Sequence, residues 1–163
     1  MVFQKVFQTQ DVPERAHTSC AYYQTTENGI FPMHCHSHYE LSFVASGTRY
    51  EICEGKSHLV GAGGLFFIPP LAFHANKNLT PVDVVVIQFS QNFLYGNSAG
   101  MGRFMLTRPK ENSLLISPSK EAHGILLKIL DFCRTQNPIS AAKDFHRSSL
   151  ILELLSALID SGD

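Results

Sequence analysis

Residues 29–47 read Gly-Ile-Phe-Pro-Met-His-Cys-His-Ser-His-Tyr-Glu-Leu-Ser-Phe-Val-Ala-Ser-Gly, and this stretch decides how the chain can fold. His34, His36, His38 and Glu40 fall at every second position. Side chains alternate between the two faces of a β-strand, so one regular strand would place all four on one face, spaced about 7 Å apart. Clustered imidazole nitrogens and a carboxylate are the donors that a divalent transition metal requires.

A second stretch, residues 63–78, places one histidine after an apolar strand and a pair of prolines. It reads Gly-Gly-Leu-Phe-Phe-Ile-Pro-Pro-Leu-Ala-Phe-His-Ala-Asn-Lys-Asn. Together the two stretches resemble the paired motifs of the cupin superfamily. The matching positions are Gly29, His34, His36, Glu40 and Gly47 in the first motif, and Gly63, Pro69, His74 and Asn78 in the second. The sequence departs from the family at Leu71, where the family has glycine, and its first gap is one residue short.

The cupin resemblance implies a set of metal ligands. In metal-binding cupins the motif histidines and the glutamate hold the ion, which implies His34, His36, Glu40 and His74 here. Iron, manganese, nickel, copper, cobalt and zinc all suit such a set. The alternative is a metal-free pocket in which the histidines hydrogen-bond an organic ligand. Buried imidazoles and a carboxylate are costly without partners, which favours the metal.

Composition sets bounds on the class of protein. The chain has 163 residues, enough for one domain with a sizeable core. Its net charge of -1 gives it no overall attraction for nucleic acid. The sequence shows neither an apolar run of membrane-spanning length nor a signal peptide, so we expect no membrane partner. The four cysteines are scattered, which is typical of reduced thiols in a cytoplasmic protein.

Short apolar runs with glycine and proline between them predict a mainly β domain. Predicted strands cover residues 19–26, 29–46, 48–54, 57–60, 65–68, 82–89 and 113–116, with a further short strand possible at 3–7. Strands at such regular intervals favour an antiparallel sandwich or barrel. By strand parity the barrel interior would present pocket residues at His38, Tyr50, Phe67 and Gln88. His38 is open as a fifth metal ligand, a residue behind the ligands or a pocket wall.

The pattern changes after Phe89. Residues 90–112 predict an irregular connection. Ser117 followed by Pro118 then predicts the start of a helix, and Asn137-Pro138 predicts the start of a second one. The apolar positions of the first recur at helical spacing, at 122, 125, 126, 129, 130 and 133. Those of the second are Phe145, Leu150, Ile151, Leu154, Leu155, Leu158 and Ile159. We expect the pair to pack on the sheet and also to form a dimer contact.

A β-rich domain followed by two helices resembles the N-terminal sensing domain of arabinose-operon-regulator (AraC)-type transcription factors. Phe31-Pro32-x-His34-x-His36-x-x-Tyr39-Glu40-Leu41 and Phe67-Ile68-Pro69-Pro70-x-x-x-His74 look like that version of the motifs. The resemblance implies an arm at residues 1–15, a cupin jelly-roll β-barrel at 16–116 and a dimerising helical pair at 117–163. It also implies a small-molecule effector inside the barrel. DNA would be bound only through a separate helix-turn-helix module, which we expect to be absent from this chain.

Two other functions stay open at the level of sequence. A small metal-dependent cupin enzyme, a dioxygenase or an isomerase, would use the same four ligands, because an open metal site can activate oxygen or polarise a carbonyl. A metal-free cupin that binds a sugar or another metabolite would differ only at the site. No further acid–base residue stands at a readable spacing, and the helical C-terminal part favours a regulator over an enzyme.

Overall fold

Short antiparallel strands make up most of the computed structural model, which describes residues 17–96, 114–135 and 140–160. The strands are β1 (Thr18–Thr25), β2 (Ile30–His34), β3 (Tyr39–Ser46), β4 (Thr48–Cys53), β5 (Lys56–Gly61), β6 (Leu65–Ile68), β7 (His74–Asn78), β8 (Val82–Phe89) and β9 (Leu115–Ile116). The first sheet has the order β1-β8-β3-β6-β9, and the second has the order β2-β7-β4-β5. All recorded strand pairs are antiparallel, which confirms the predicted mainly β class.

Strand β3 shows how the first sheet separates two interiors. Its residues Tyr39, Leu41 and Phe43 belong to the large apolar core shared with the C-terminal helices. Its alternate residues Glu40 and Ser42 are buried on the opposite face, towards the second sheet. Polar residues buried on one face of a strand need hydrogen-bond partners there. The space between the sheets therefore holds buried polar residues beside a second, apolar cluster.

Three helices accompany the sheets in the described part of the chain. They are α1 (Gln91–Gly96), α2 (Lys120–Arg134) and α3 (Ala141–Asp160). The six apolar positions predicted for the first C-terminal helix are all buried in α2. The predicted stripe of the second is buried or half-buried except for Phe145, which is 77% exposed. None of the described helices is long and apolar enough to span a membrane.

Two local predictions about these helices are wrong. Helix α2 begins after Ser119, whose side chain accepts a hydrogen bond from the Ala122 amide at 3.1 Å, so the cap is not Ser117. A hydroxyl that satisfies a first-turn amide competes well as an N-cap, and Ser119 outcompetes the earlier serine. The short helix α1 lies where an irregular connection was predicted. The predicted strand at 3–7, the arm at 1–15 and most of the 90–112 connection lie outside the described residues.

The prediction of one continuous strand through the histidine motif is also wrong. Strand β2 ends at His34 in the second sheet, β3 begins at Tyr39 in the first sheet, and residues 35–38 form a connection between them. A single chain can serve facing sheets only if it leaves the extended ladder where it crosses over. The glycine predicted to end the motif does end β3. Gly47 has φ +82°, and an added Cβ would lie 2.1 Å from Pro81 O.

Candidate metal and effector site

Four side chains meet at one end of the space between the sheets. They come from the end of β2 (His34), the crossover (His36), the start of β3 (Glu40) and the start of β7 (His74), and all are at most 8% exposed. One nitrogen from each of the three histidines lies within 4.8 Å of the other two. His36 Nε2 lies 3.1 Å from Glu40 Oε2. The structure thus brings together the four residues predicted as metal ligands.

Strand pairing explains why residues so far apart in sequence converge. His34 and His74 are register partners on β2 and β7, and their ring centroids lie 4.0 Å apart. The crossover then carries His36 over the gap, where its ring centroid lies 4.7 Å from that of His74. Glu40 reaches the same point from the first sheet. Each sheet contributes part of the cluster, so its geometry depends on how the sheets pack.

Main-chain carbonyls fix which nitrogen each imidazole presents. Nδ1 lies 2.9 Å from a carbonyl oxygen in all three rings, that of Pro32 for His34, His38 for His36 and Ala72 for His74. A carbonyl can only accept, so each Nδ1 must donate. In the neutral ring Nε2 then carries a lone pair. This second contact is the one that orients histidine ligands in metal sites.

The remaining contacts of the cluster test whether it fits a cation. With Nδ1 protonated, His36 Nε2 and Glu40 Oε2 are both acceptors unless a second proton or a cation lies between them. His74 Nε2 is buried and has no hydrogen-bond partner among the described residues. One divalent ion would satisfy all three of these acceptor atoms. Three imidazole nitrogens and a carboxylate oxygen therefore fit a transition metal.

The charge states of the cluster agree with that chemistry. Burial lowers the pKa of His74 to about 4, and burial also lowers the pKa of His34. Both rings are therefore neutral near pH 7, as a metal ligand must be. Burial opposes ionisation of Glu40, but contacts with His36 and His74 outweigh it and lower the pKa of the carboxyl to about 2. The cluster offers neutral nitrogens and an ionised oxygen.

A cavity of about 510 Å³ adjoins the cluster, with His34 and Glu40 in its wall. Its apolar lining comes from Tyr23, Ile30, Phe31, Val84 and Val86. Its polar lining includes Gln24, Arg49, Asn76, Asn78 and Gln88. The volume lies in the range of small-molecule sites, and an apolar wall with a few polar groups is typical of them.

Comparison with known proteins identifies the family. A profile of the AraC-like ligand binding domain matches residues 17–155. The chain belongs to this family. No curated protein sequence gives a significant match. Among solved structures, ToxT from Vibrio cholerae aligns with a TM-score of 0.56 and 14% identity, over 83% of this chain and 54% of that one.

Cupin structures also align with the AraC-like domain. An RmlC-like cupin from Shewanella frigidimarina NCIMB 400 gives a TM-score of 0.44 at 20% identity, over 45% of this chain and 67% of that one. KdgF from Halomonas sp. gives 0.43 at 21% identity, over 46% of this chain and 69% of that one. The predicted cupin-type fold of an AraC sensor domain is confirmed by the family match, together with the two antiparallel sheets and the C-terminal helices.

Two of the four predicted pocket residues lie at the site of the AraC-like domain. Gln88 lines the cavity, and its Nε2 donates to Glu40 Oε2 at 2.9 Å. His38 is 2% exposed, and its ring stacks on His36 with centroids 3.9 Å apart. One of its nitrogens lies within 4.8 Å of ligand atoms of His36 and Glu40. It remains a candidate fifth ligand or a support for His36.

The other two predicted pocket residues lie elsewhere. Tyr50 is 37% exposed on β4, because its neighbours Arg49 and Glu51 are the residues buried there. Phe67 packs in the core shared with the helices, while Phe66 faces the space between the sheets. Placing either in the pocket was wrong. In both cases the inward face of the strand is the opposite one.

Sequence reasoning missed a buried polar network beside the cavity. Arg49 is 4% exposed, and its Nη2 donates to Ser42 Oγ and to Glu51 Oε1. Burial raises the pKa of Glu51 to about 7, which outweighs the lowering by Arg49 and Ser42. The sequence did contain a signal for this network. Arg49 and Glu51 are two positions apart in a six-residue strand, so their side chains point to the same face.

Proposed function

We propose that this AraC-like domain senses a small-molecule effector bound in the cavity between its sheets. The observation that carries the proposal is the buried His34, His36, Glu40 and His74 cluster beside a cavity of about 510 Å³. Family membership supports the same conclusion, because the family is one of ligand-binding domains. In such a regulator the domain would work in the cytoplasm, and contact with DNA would be made by a separate module.

We propose further that the four residues hold a divalent transition metal. When bound, the metal would supply a positive charge and an open coordination position for a polar group of the effector. The protein's own part is to position the ligands. Backbone carbonyls hold the three imidazoles, and Gln88 holds the Glu40 carboxylate at 2.9 Å. The effector would bind against this rigid wall.

Strand β1 connects the cavity to the C-terminal helices. Its residues Tyr23 and Gln24 line the cavity, whereas Thr18 at its other end contacts α3. Thr18 Oγ1 lies 3.0 Å from Ser148 Oγ and accepts from Arg147 Nε at 3.2 Å. An effector that binds one arrangement of β1 better than another would shift the helices, which are the proposed dimer contact.

An effector screen tests the sensing proposal. Compounds that bind the cavity should raise the unfolding temperature of the wild-type protein. Val86→Phe narrows the cavity and should reduce the shift for every such compound. Leu59→Phe is the matched control, since Leu59 is 54% exposed on β5 and does not line the cavity. Equal shifts in both variants would place binding outside the cavity and contradict the proposal.

A metal-dependent enzyme, of dioxygenase or isomerase type, is the second candidate function. The observation in its favour is that His34 and Glu40 face the cavity, so a metal there would contact a bound compound. The two functions differ in the fate of that compound. A sensor should release it unchanged after prolonged incubation with the metal-loaded protein in air, whereas an enzyme should yield product that mass spectrometry detects.

A further inference from the structure

The cavity wall holds a buried cation whose hydrogen-bonding capacity is only partly used. Arg49 lines the cavity and is 4% exposed. Its Nη2 is engaged by Ser42 and Glu51, but its Nε–H is buried without a hydrogen-bond partner in the described residues. A guanidinium carries five N–H donors, and a buried donor without an acceptor costs free energy. Arg49 is therefore suited to a further acceptor from within the cavity.

The same cavity wall holds an acceptor without a partner in the described residues. Asn78 is the register partner of Arg49 across β4 and β7, and it also lines the cavity. Its Nδ2 donates to Thr25 Oγ1 at 2.7 Å and to Thr26 O at 3.0 Å, which fixes the orientation of the amide. Its Oδ1 is buried and has no hydrogen-bond partner within the described ranges. Opposed residues on antiparallel strands have Cβ atoms about 5 Å apart, so the two side chains leave the backbone at neighbouring points of the same cavity wall.

The other residues of the cavity wall indicate the charge and the apolar character that the ligand needs. Glu40 is the other strongly ionised group there, but its Oε2 already contacts His36 Nε2 and accepts from Gln88 Nε2. An anionic group is therefore attracted to Arg49, whose unpartnered Nε–H can donate a charge-assisted hydrogen bond to a carboxylate oxygen. Val84 and Val86 line the same cavity and require an apolar part.

We propose that the effector is a small hydroxycarboxylate with an apolar body. Its carboxylate accepts a hydrogen bond from Arg49 Nε, and the hydroxyl beside it donates to Asn78 Oδ1. The apolar part contacts Val84 and Val86. This inference rests on the proposed function, because it names the chemical class of effector for the same cavity. A volume of about 510 Å³ accommodates an aromatic hydroxy acid.

Three related probes separate the contributions of the two contacts. Mandelate carries the carboxylate, the hydroxyl and an apolar ring, phenylacetate lacks the hydroxyl, and mandelamide lacks the charge. By calorimetry we expect mandelate to bind most tightly, phenylacetate a few-fold more weakly and mandelamide more than about tenfold more weakly. Mandelate should also shift the ¹⁵N–¹H signal of the Arg49 Nε–H group, which reports the contact directly.

Variants test whether Arg49 carries the selectivity. Arg49→Gln should weaken mandelate binding by more than about tenfold and remove its advantage over mandelamide. Lys56→Gln is the control, because it removes an exposed positive charge. Since Arg49→Gln leaves Glu51 buried without its cation, the double variant Arg49→Gln/Glu51→Gln keeps the test valid if the single variant fails to fold. It should show the same loss.

The outcomes distinguish this inference from the proposed function. Equal affinity for mandelate and mandelamide, or undiminished mandelate binding in the folded Arg49 variants, would overturn the hydroxycarboxylate assignment. Absence of binding by all three probes would also count against it. The proposed function fails separately, if the wider effector screen finds no compound whose binding Val86→Phe weakens.

Discussion

His74 makes the metal-free domain sensitive to acid. Burial holds its pKa at about 4 in the folded state, against an ordinary value of 6.5. Below pH 6.5 His74 is protonated in the unfolded chain but stays neutral in the folded chain until about pH 4. The contribution of His74 to the free energy of unfolding therefore falls as the pH falls. Between about pH 7 and about pH 5 the loss amounts to about 2 kcal/mol.

The comparison with a variant isolates this effect. Burial raises the pKa of Glu51 to about 7, so Glu51 favours the folded state as the pH falls and opposes His74 in the same window. His74→Gln removes only the histidine contribution. Urea unfolding of chelator-treated protein should show that wild type loses more stability than His74→Gln on acidification. An equal loss in both proteins would contradict the folded-state pKa of His74.

Individual residues show which parts of the site could be predicted from the sequence and which could not. The spacings of the two motifs were enough to group His34, His36, Glu40 and His74. Family motifs show which residues come close in the folded protein, whereas the alternation of side chains along one strand does not. Strand parity failed for Tyr50 because the usual rule of apolar residues inside is inverted on β4. Arg49 and Glu51 point inwards there, while Tyr50 points out. Where the inward face of a strand is polar, hydrophobicity does not show which face points inwards.

At the level of elements, helix α2 is fixed to the first sheet by one apolar stripe. Leu126 is fully buried in the core shared with that sheet, whereas the adjacent Leu127 is 47% exposed. Leu126→Ala should lower the free energy of unfolding by about 2–5 kcal/mol, because it removes buried methyl groups and leaves a cavity. Leu127→Ala makes the same chemical change and should cost well under half as much. Chemical denaturation of the two variants measures the difference, and similar losses would show that α2 does not pack as described.

Periodicity predicted the long elements better than their ends. The buried positions of α2 follow from apolar spacing alone, and β8 follows from a run of β-branched residues. The break between β2 and β3 could not be predicted, because residues 34–40 alternate as a strand would while the chain crosses between sheets. Crossover points are set by packing of the two sheets, which local sequence does not encode.

At the level of the whole molecule, the helical pair is the proposed dimer contact. Phe145 on α3 is 77% exposed, although it belongs to the predicted apolar stripe. Phe145→Asp should shift a dimer towards monomer in sedimentation velocity, because a charge would be buried at the interface. Tyr95→Asp is the matched control, since Tyr95 is 76% exposed on α1. If only Tyr95→Asp dissociated the dimer, the interface would not lie on the helical pair.

The four proposed ligands are central to the proposed function of the whole domain, since both sheets contribute to the cluster and two of its members, His34 and Glu40, line the cavity. The most direct test is the metal content of protein purified without a polyhistidine tag or chelator, beside His36→Ala and His146→Ala. We expect about one divalent metal per chain in wild type and in His146→Ala, whose histidine is exposed on α3, and none in His36→Ala. Absence of metal from wild type even after loading, or retention in His36→Ala, would contradict a metal centre at this site.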